Sequence, residues 1–273
     1  MPRSILVTGA ASGIGAALAE ALLARGKRVI ASARRPDQLE DLVAKGATPL
    51  AMDVSDDAST AQAFASLEDC DAVIHCAAIA PVGLVETTPP DRVAEVINTN
   101  TLGALRVLQH SLPLLRKAEP GRLLLLSSLW GEVSGPLVSS YAASKHALEA
   151  LADAARRETA GQGVFISVIQ PGVVKTPMYF QQLDELERFY DQIPSEEQGR
   201  YRHVIDAHRK LVATAEKAAI TPEECIAVIL RCLDAKRPLP RYRAGRDAKV
   251  MTTLGRVLSD RGLDRLFARL YSK

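Results

Sequence analysis

The feature that most constrains this chain is the turn Thr8-Gly-Ala-Ala-Ser-Gly-Ile-Gly15, set between a short apolar run at 5–8 and an amphipathic pattern at 13–25. In that pattern Ile14, Leu18, Ala21 and Leu22 recur on one helical stripe. Glycines let a turn fold back tightly and let another backbone approach closely. The helix that follows starts with unpaired N–H groups and the positive end of its dipole, which together attract an anion. A glycine-rich turn alone could be only structural. Strand, glycine turn and helix in this order instead read as the phosphate-binding turn of a dinucleotide site, with Gly9, Ser12, Gly13, Ile14 and Gly15 as its cradle.

The alternation that begins there continues. Short β-branched or leucine-rich runs at 28–33, 48–53, 72–76, 122–127 and 164–170 are separated by helical patterns, the longest at 92–117 and 139–161. Such alternation specifies βαβ units, and continuous apolar runs specify strands buried on both faces. The expected fold class is α/β: a doubly wound parallel sheet of about seven strands, of the Rossmann type, with helices on both faces. After about residue 176 strand signals stop, and a charged helical stretch at about 178–220 reads as an insertion that caps a substrate site. Thr221-Pro-Glu-Glu224 then supplies an N-cap, a proline at the first helical position and acids in the first turn, so a helix should run to about Ala235. A last short strand is expected at 239–244. Val250, Leu254, Val257 and Leu258, then Leu263, Leu266, Phe267 and Leu270, form closing helical stripes. No repeat or linker divides the chain, which leaves one domain over 1–273 as the expectation.

Composition excludes several function classes. A net charge of +2 over 273 residues offers no global attraction to nucleic acid or to an anionic membrane. Cys70, Cys76, Cys225 and Cys232 show no metal-type or disulfide-framework spacing, so reduced thiols and no metal are expected. Met1-Pro-Arg3 leads straight into the first strand pattern, and charges interrupt every apolar run before it could span a bilayer. A cytoplasmic protein is the expectation.

Two segments narrow the ligand. The second strand ends Ser32-Ala-Arg-Arg35, where a site for NAD would place an acid on the ribose 2′-hydroxyl. Arg34, helped by Arg35, suits a 2′-phosphate instead and points to NADP over NAD; the alternative is a solvated arginine pair. Asp53 and Val54, after the third strand, would meet the adenine, or Asp53 would cap the next helix. Tyr141-Ala-Ala-Ser-Lys145 places a phenol and an ammonium one turn apart on a helix face, where a cation would favour phenolate. Ser127-Ser128 closes the preceding strand thirteen residues before Tyr141, close enough for a loop to return a hydroxyl to that phenol.

With these motifs in hand, the chain resembles the short-chain dehydrogenase/reductase family from Ile5 to about Pro177, through Thr8–Gly15, Asn100, Ser128, Tyr141 with Lys145, and Pro171-Gly-Val-Val-Lys-Thr176. The resemblance implies Tyr141 as general acid/base, Ser128 as the donor to the substrate oxygen, and Lys145 on the nicotinamide ribose while lowering the Tyr141 pKa. It implies a water held by the Asn100 backbone in a proton relay, and contacts to the cofactor from Ala77, Pro171, Gly172, Val174 and Thr176. It also implies a small-molecule alcohol or carbonyl substrate and a homodimer or homotetramer built on the two long helices. One departure stands out: His75-Cys76-Ala77-Ala78 replaces the family's Asn-Asn-Ala-Gly, which removes hydrogen bonds expected to steady the central strands. Trp130, Val133, Leu137, Met178 and Tyr179 are expected around the substrate and favour a hydrophobic one. The tail resembles that of steroid and retinol dehydrogenases, and its Arg256, Arg261, Arg265 and Arg269 would suit either packing on the body or a membrane surface. The rival function is a noncatalytic NADP-binding sensor on the same fold.

Overall fold

The computed structural model describes residues 4–271. Seven strands, β1 Ser4–Thr8, β2 Arg28–Ala33, β3 Thr48–Ala51, β4 Ala72–His75, β5 Gly121–Leu126, β6 Val164–Pro171 and β7 Arg241–Ala244, form one sheet in the order β3-β2-β1-β4-β5-β6-β7. Every pairing is parallel. The order reverses between β1 and β4, which opens a crevice at the C-terminal ends of those strands.

Continuous apolar runs are required because side chains alternate between two buried faces. Ile5 and Val7 of β1, Ile74 of β4 and Leu124 of β5 belong to one core, together with α1 Gly13–Ala24 and α9 Pro222–Asp234. Leu6, Val73, Leu123 and Leu125 point the other way, into a second core with α3 Asp57–Ala65, α5 Gly103–Leu115 and α6 Ser139–Glu158. The short α2 Glu40–Ala44 borders the first. Helix α9 starts as its sequence specifies, with a capping box in which Thr221 Oγ1 accepts from Glu224 N and a Glu224 carboxylate oxygen accepts from Thr221 N.

Three elements depart from the pattern. The run at 48–53 pairs only as far as Ala51, because β3 is an edge strand, mostly exposed and carrying Pro49. The long helix at 92–117 is α4 Pro90–Ile97 joined to α5 by a π-turn at Asn98–Leu102. The closing helix α10 Arg246–Val257 packs through Ala248, Thr252 and Gly255, whose missing Cβ would lie 2.6 Å from Val133. Val250 and Val257 turn outward, at 47% and 69% exposure, while Met251 packs beside Ala248.

The segment after β6 is helical as expected: α7 Pro177–Gln192 and α8 Ser195–Ala215. Leu186 and Ile205 pack over Val82, Leu84 and Leu137, so this pair covers the crevice from one side. The last helix, α11 Asp260–Leu270, approaches the other side, where Phe267 meets Trp130 at 6.5 Å between ring centroids. Among the described residues no helix is long and apolar enough to cross a membrane.

Candidate active site

The crevice at the strand ends holds a continuous cavity of about 680 Å³. Its floor is the glycine turn. A Cβ on Gly9 would sit 2.7 Å from the Ala77 backbone nitrogen, and one on Gly15 would sit 2.3 Å from the Gly9 carbonyl oxygen, so both positions exclude every side chain. Gly9 and Gly13 are also left-handed, at φ 66° and 57°. Ser12, Gly13, Ile14 and Ala77 complete this floor beneath the N-terminus of α1.

The far wall is set by β2 and β3. Arg34 lines the cavity beside Ala33 and Gln38, and no acid stands at the end of β2. Arg35 is not on the wall; its guanidinium faces Asp37 at 3.8 Å. Asp53 and Val54 do line it. Asp53 accepts from the Ser55 backbone nitrogen and hydroxyl, and the cap of α3 is Asp56, which accepts from Ser59 N at 2.6 Å. The capping alternative for Asp53 is thereby excluded.

At the end of β5 and along α6 the structure assembles Ser128, Tyr141 and Lys145. Ser128 hydrogen-bonds the Tyr141 phenol and accepts from Trp130 N at 3.3 Å. Lys145, 2% exposed, donates to the Leu126 carbonyl at 2.7 Å, and its Nζ lies 5.6 Å from the Tyr141 ring centroid. Helix α6 is held in place by buried Glu149, which accepts from Gln170 Nε2 at 2.9 Å and from Arg241 Nε at 2.9 Å.

Burial pushes the Tyr141 phenol up to about 12, and the Ser128 hydrogen bond pulls against it. The ammonium is engaged by the Leu126 carbonyl, and burial pushes Lys145 itself down to about 8.

Asn100 is fully buried and does not reach the cavity. From the π-turn its amide clamps Ile79 in both directions, accepting from Ile79 N at 2.9 Å and donating to Ile79 O at 2.8 Å, and it donates to Ser144 Oγ at 2.9 Å. The departure at 75–78 is compensated. His75 Nδ1 hydrogen-bonds Thr8 Oγ1 at 2.9 Å, and Cys76 N donates to the same oxygen, so the two central strands stay tied. Burial pushes His75 down to about 3 and the Cys76 thiol up, so neither is poised as a catalytic group.

The loop after β6 brings Pro171, Gly172, Val174 and Thr176 to the cavity. Of the residues expected around the substrate, Trp130, Met178 and Tyr179 line it, whereas Val133 and Leu137 are packed in cores behind the wall. Leu137 holds a left-handed backbone at φ 68°, fixed by its burial and by Gly83 N donating to its carbonyl at 2.9 Å.

A family model described as short chain dehydrogenase matches residues 3–187. The chain belongs to this family. Relatives include oxidoreductase BOA17 of Botryotinia fuckeliana, 30% identical over 91% of this chain and 90% of its own length. Human retinol dehydrogenase 5 is 30% identical over 90% of this chain and 82% of its own. Among solved structures, a short-chain dehydrogenase from Streptomyces avermitilis superposes with a TM-score of 0.78 at 29% identity, covering 98% of this chain and 94% of that one. One from Burkholderia cenocepacia, solved in complex with NADP, superposes at 0.77 with 24% identity, covering 99% and 98%. The protein is an NAD(P)-dependent oxidoreductase.

Asp247 is a residue of this oxidoreductase's site to which its sequence motifs do not point. Asp247, at the start of α10, accepts from Val173 N at 2.6 Å through Oδ2. Among the described residues its Oδ1 is buried without a partner, against Gly172 and Gly245, where a Cβ would come within 2.0 and 2.5 Å of it. The carboxylate thus fixes the turn that carries Val174 and Thr176 to the cavity. Asp247→Ala should weaken nicotinamide dinucleotide binding about tenfold, the scale of one lost hydrogen bond to a charged group, while Asp247→Asn keeps the acceptor and most of the affinity. Cofactor titration of both variants checks this; equal affinities in wild type and Asp247→Ala would refute it.

Proposed function

We propose that this enzyme interconverts a hydrophobic alcohol and its carbonyl with NADP(H), using Tyr141 as general acid/base. The observation that carries the reading is the convergence of Ser128, Tyr141 and buried Lys145 on a cavity whose other end presents Arg34, with no acid at the end of β2. The glycine cradle fits a pyrophosphate, because only a glycine floor lets it approach the N-terminus of α1. Arg34 suits a 2′-phosphate, and Val174 and Thr176 would orient the nicotinamide. When bound, the cofactor supplies or takes the hydride. In reduction Tyr141 Oη donates its proton to the substrate oxygen while Ser128 Oγ hydrogen-bonds that oxygen; in oxidation Tyr141 takes the proton. Lys145 keeps a cation beside the ring.

The apolar lining from Trp130, Met178, Leu211, Val212 and Phe267 favours a hydrophobic substrate. The test is a panel of apolar ketones with NADPH and alcohols with NADP⁺, with dissociation constants for both cofactors at fixed ionic strength. Arg34→Ala should weaken NADPH selectively, by about 1 to 3 kcal/mol for one lost charge-assisted contact. Ala33→Asp should weaken NADPH and improve NADH, because a carboxylate there repels a phosphate but accepts from a 2′-hydroxyl. A wild type that prefers NADH, or an Arg34→Ala that weakens both cofactors equally, would overturn the cofactor assignment.

A further inference from the structure

Away from Ser128 and Tyr141, the cavity wall comes from α7, α8 and the end of α11. Met178, Leu211, Val212 and Leu270 make it apolar, and no charged side chain from these elements lines it among the described residues. Tyr179 is on this wall, but its hydroxyl donates to the Val212 carbonyl at 2.6 Å. Against this background one polar pair stands out. His208 of α8 and Tyr271, just past α11, both line the cavity and are only 7% and 8% exposed. Their rings stack at 6.2 Å, and His208 Nδ1 lies 3.0 Å from the Tyr271 hydroxyl. His208 is thus tied to its neighbour through Nδ1, the nitrogen other than Nε2, while its ring lines the cavity.

We infer that His208 and Tyr271 form a substrate-recognition subsite for a second, uncharged oxygen function, a hydroxyl or carbonyl, carried by an apolar substrate at a distance from its reacting carbon. The inference rests on the oxidoreductase reading above and narrows its substrate class. A buried polar pair on an apolar wall has a cost unless a ligand group completes its hydrogen bonds, and sites of this kind reject analogues that lack that group. Burial pushes His208 down to about 4 and Tyr271 up to about 12, so both are neutral near pH 7. A neutral imidazole locked on one nitrogen by a hydroxyl offers, from the other, a donor or an acceptor according to tautomer. Such a pair matches a hydroxyl or a carbonyl. It lacks the positive charge that would hold a carboxylate and the negative charge that would hold an amine. Gln182 also lines the cavity, but it is only half-buried, so it is the weaker anchor.

The probes are a homologous series of linear 2-alkanones and the same ketones bearing a terminal hydroxyl. Each is assayed for turnover with NADPH and titrated as a ligand against the fluorescence of Trp130, the single tryptophan, which lines the cavity. At the chain length that reaches His208, the hydroxyl should improve both kcat/KM and affinity by about ten- to a hundredfold, the range for satisfying a buried polar site. His208→Leu should bring that ratio close to one. Tyr271→Phe, which removes a single oxygen and so guards against misfolding of the first variant, should do the same. A ratio near one at every length in the wild type overturns the subsite, as does a preference that survives both substitutions or falls only in Gln182→Leu. Turnover of plain ketones without hydroxyl discrimination removes the subsite and leaves the oxidoreductase reading intact. Hydroxyl-dependent affinity without turnover of either series supports the subsite and removes the chemistry assigned to Tyr141.

Discussion

Tyr141→Phe should fold, bind the dinucleotide and lose about a hundred- to ten-thousandfold in turnover, the usual contribution of a positioned proton donor. The substitution removes one oxygen from a ring that α6 continues to hold, and Lys145 keeps its hydrogen bond to Leu126. The pH profile identifies the lost group. Burial holds the phenol up to about 12, so it is protonated near neutrality and ready to act as an acid in carbonyl reduction. Alcohol oxidation needs the phenolate, whose fraction rises tenfold per pH unit below the pKa. Oxidation by the wild type should therefore climb with pH above neutrality, and that climb should be absent in Tyr141→Phe. Steady-state rates in both directions across pH decide it. Near wild-type turnover in the variant would remove Tyr141 from the chemistry.

How far the sequence could be read follows from where each signal resides. Strands β1, β4 and β5 were legible because both faces are buried, and Ile5, Leu6 and Val7 must all be apolar when alternate side chains enter different cores. At the sheet edge that demand lapses, so the apolar run at 48–53 overstated β3. The stripe of Val250, Leu254 and Val257 suggested a helix face that α10 does not bury. Close approach to Val133 selects the small residues Ala248, Thr252 and Gly255 instead, a preference invisible to hydrophobic periodicity.

The same distinction runs through the site. Ser128, Tyr141 and Lys145 lie within a short stretch of chain, and the turn at Thr8–Gly15 carries its function in its own glycines. Asn100 was visible as a residue, but its hold on Ile79 depends on a π-turn that local spacing does not encode. Asp247 and Gly172 are 75 residues apart, and His208 and Tyr271 are 63 apart. The packing of α10 and α11 brings each pair together. The only local hint was Gly245 at the end of β7, a left-handed position at φ 102° that admits the Asp247 carboxylate.

Ser128→Ala should cost about a hundred- to a thousandfold in turnover, the range for losing one preorganised donor to a developing oxyanion. Two contacts preorganise this hydroxyl: Trp130 N donates to Ser128 Oγ at 3.3 Å, and Ser128 is hydrogen-bonded to the Tyr141 phenol. With its lone pair occupied by the backbone, the hydroxyl is steered rather than free to rotate. Removing it has a second consequence of definite sign. The Ser128 hydrogen bond draws the Tyr141 pKa down against burial, so its loss leaves burial unopposed and the phenol should titrate at still higher pH. The rise of alcohol oxidation with pH should therefore shift upward in Ser128→Ala, whereas it should vanish in Tyr141→Phe. Because the two side chains act on the same substrate oxygen and on each other, their losses should not add: the double variant should be little slower than Tyr141→Phe alone. Kinetics of the two single variants and the double variant, in both directions and across pH, provide the cycle. Additive losses would mean that Ser128 acts independently of the phenol, and an unchanged rate in Ser128→Ala would remove it from the site.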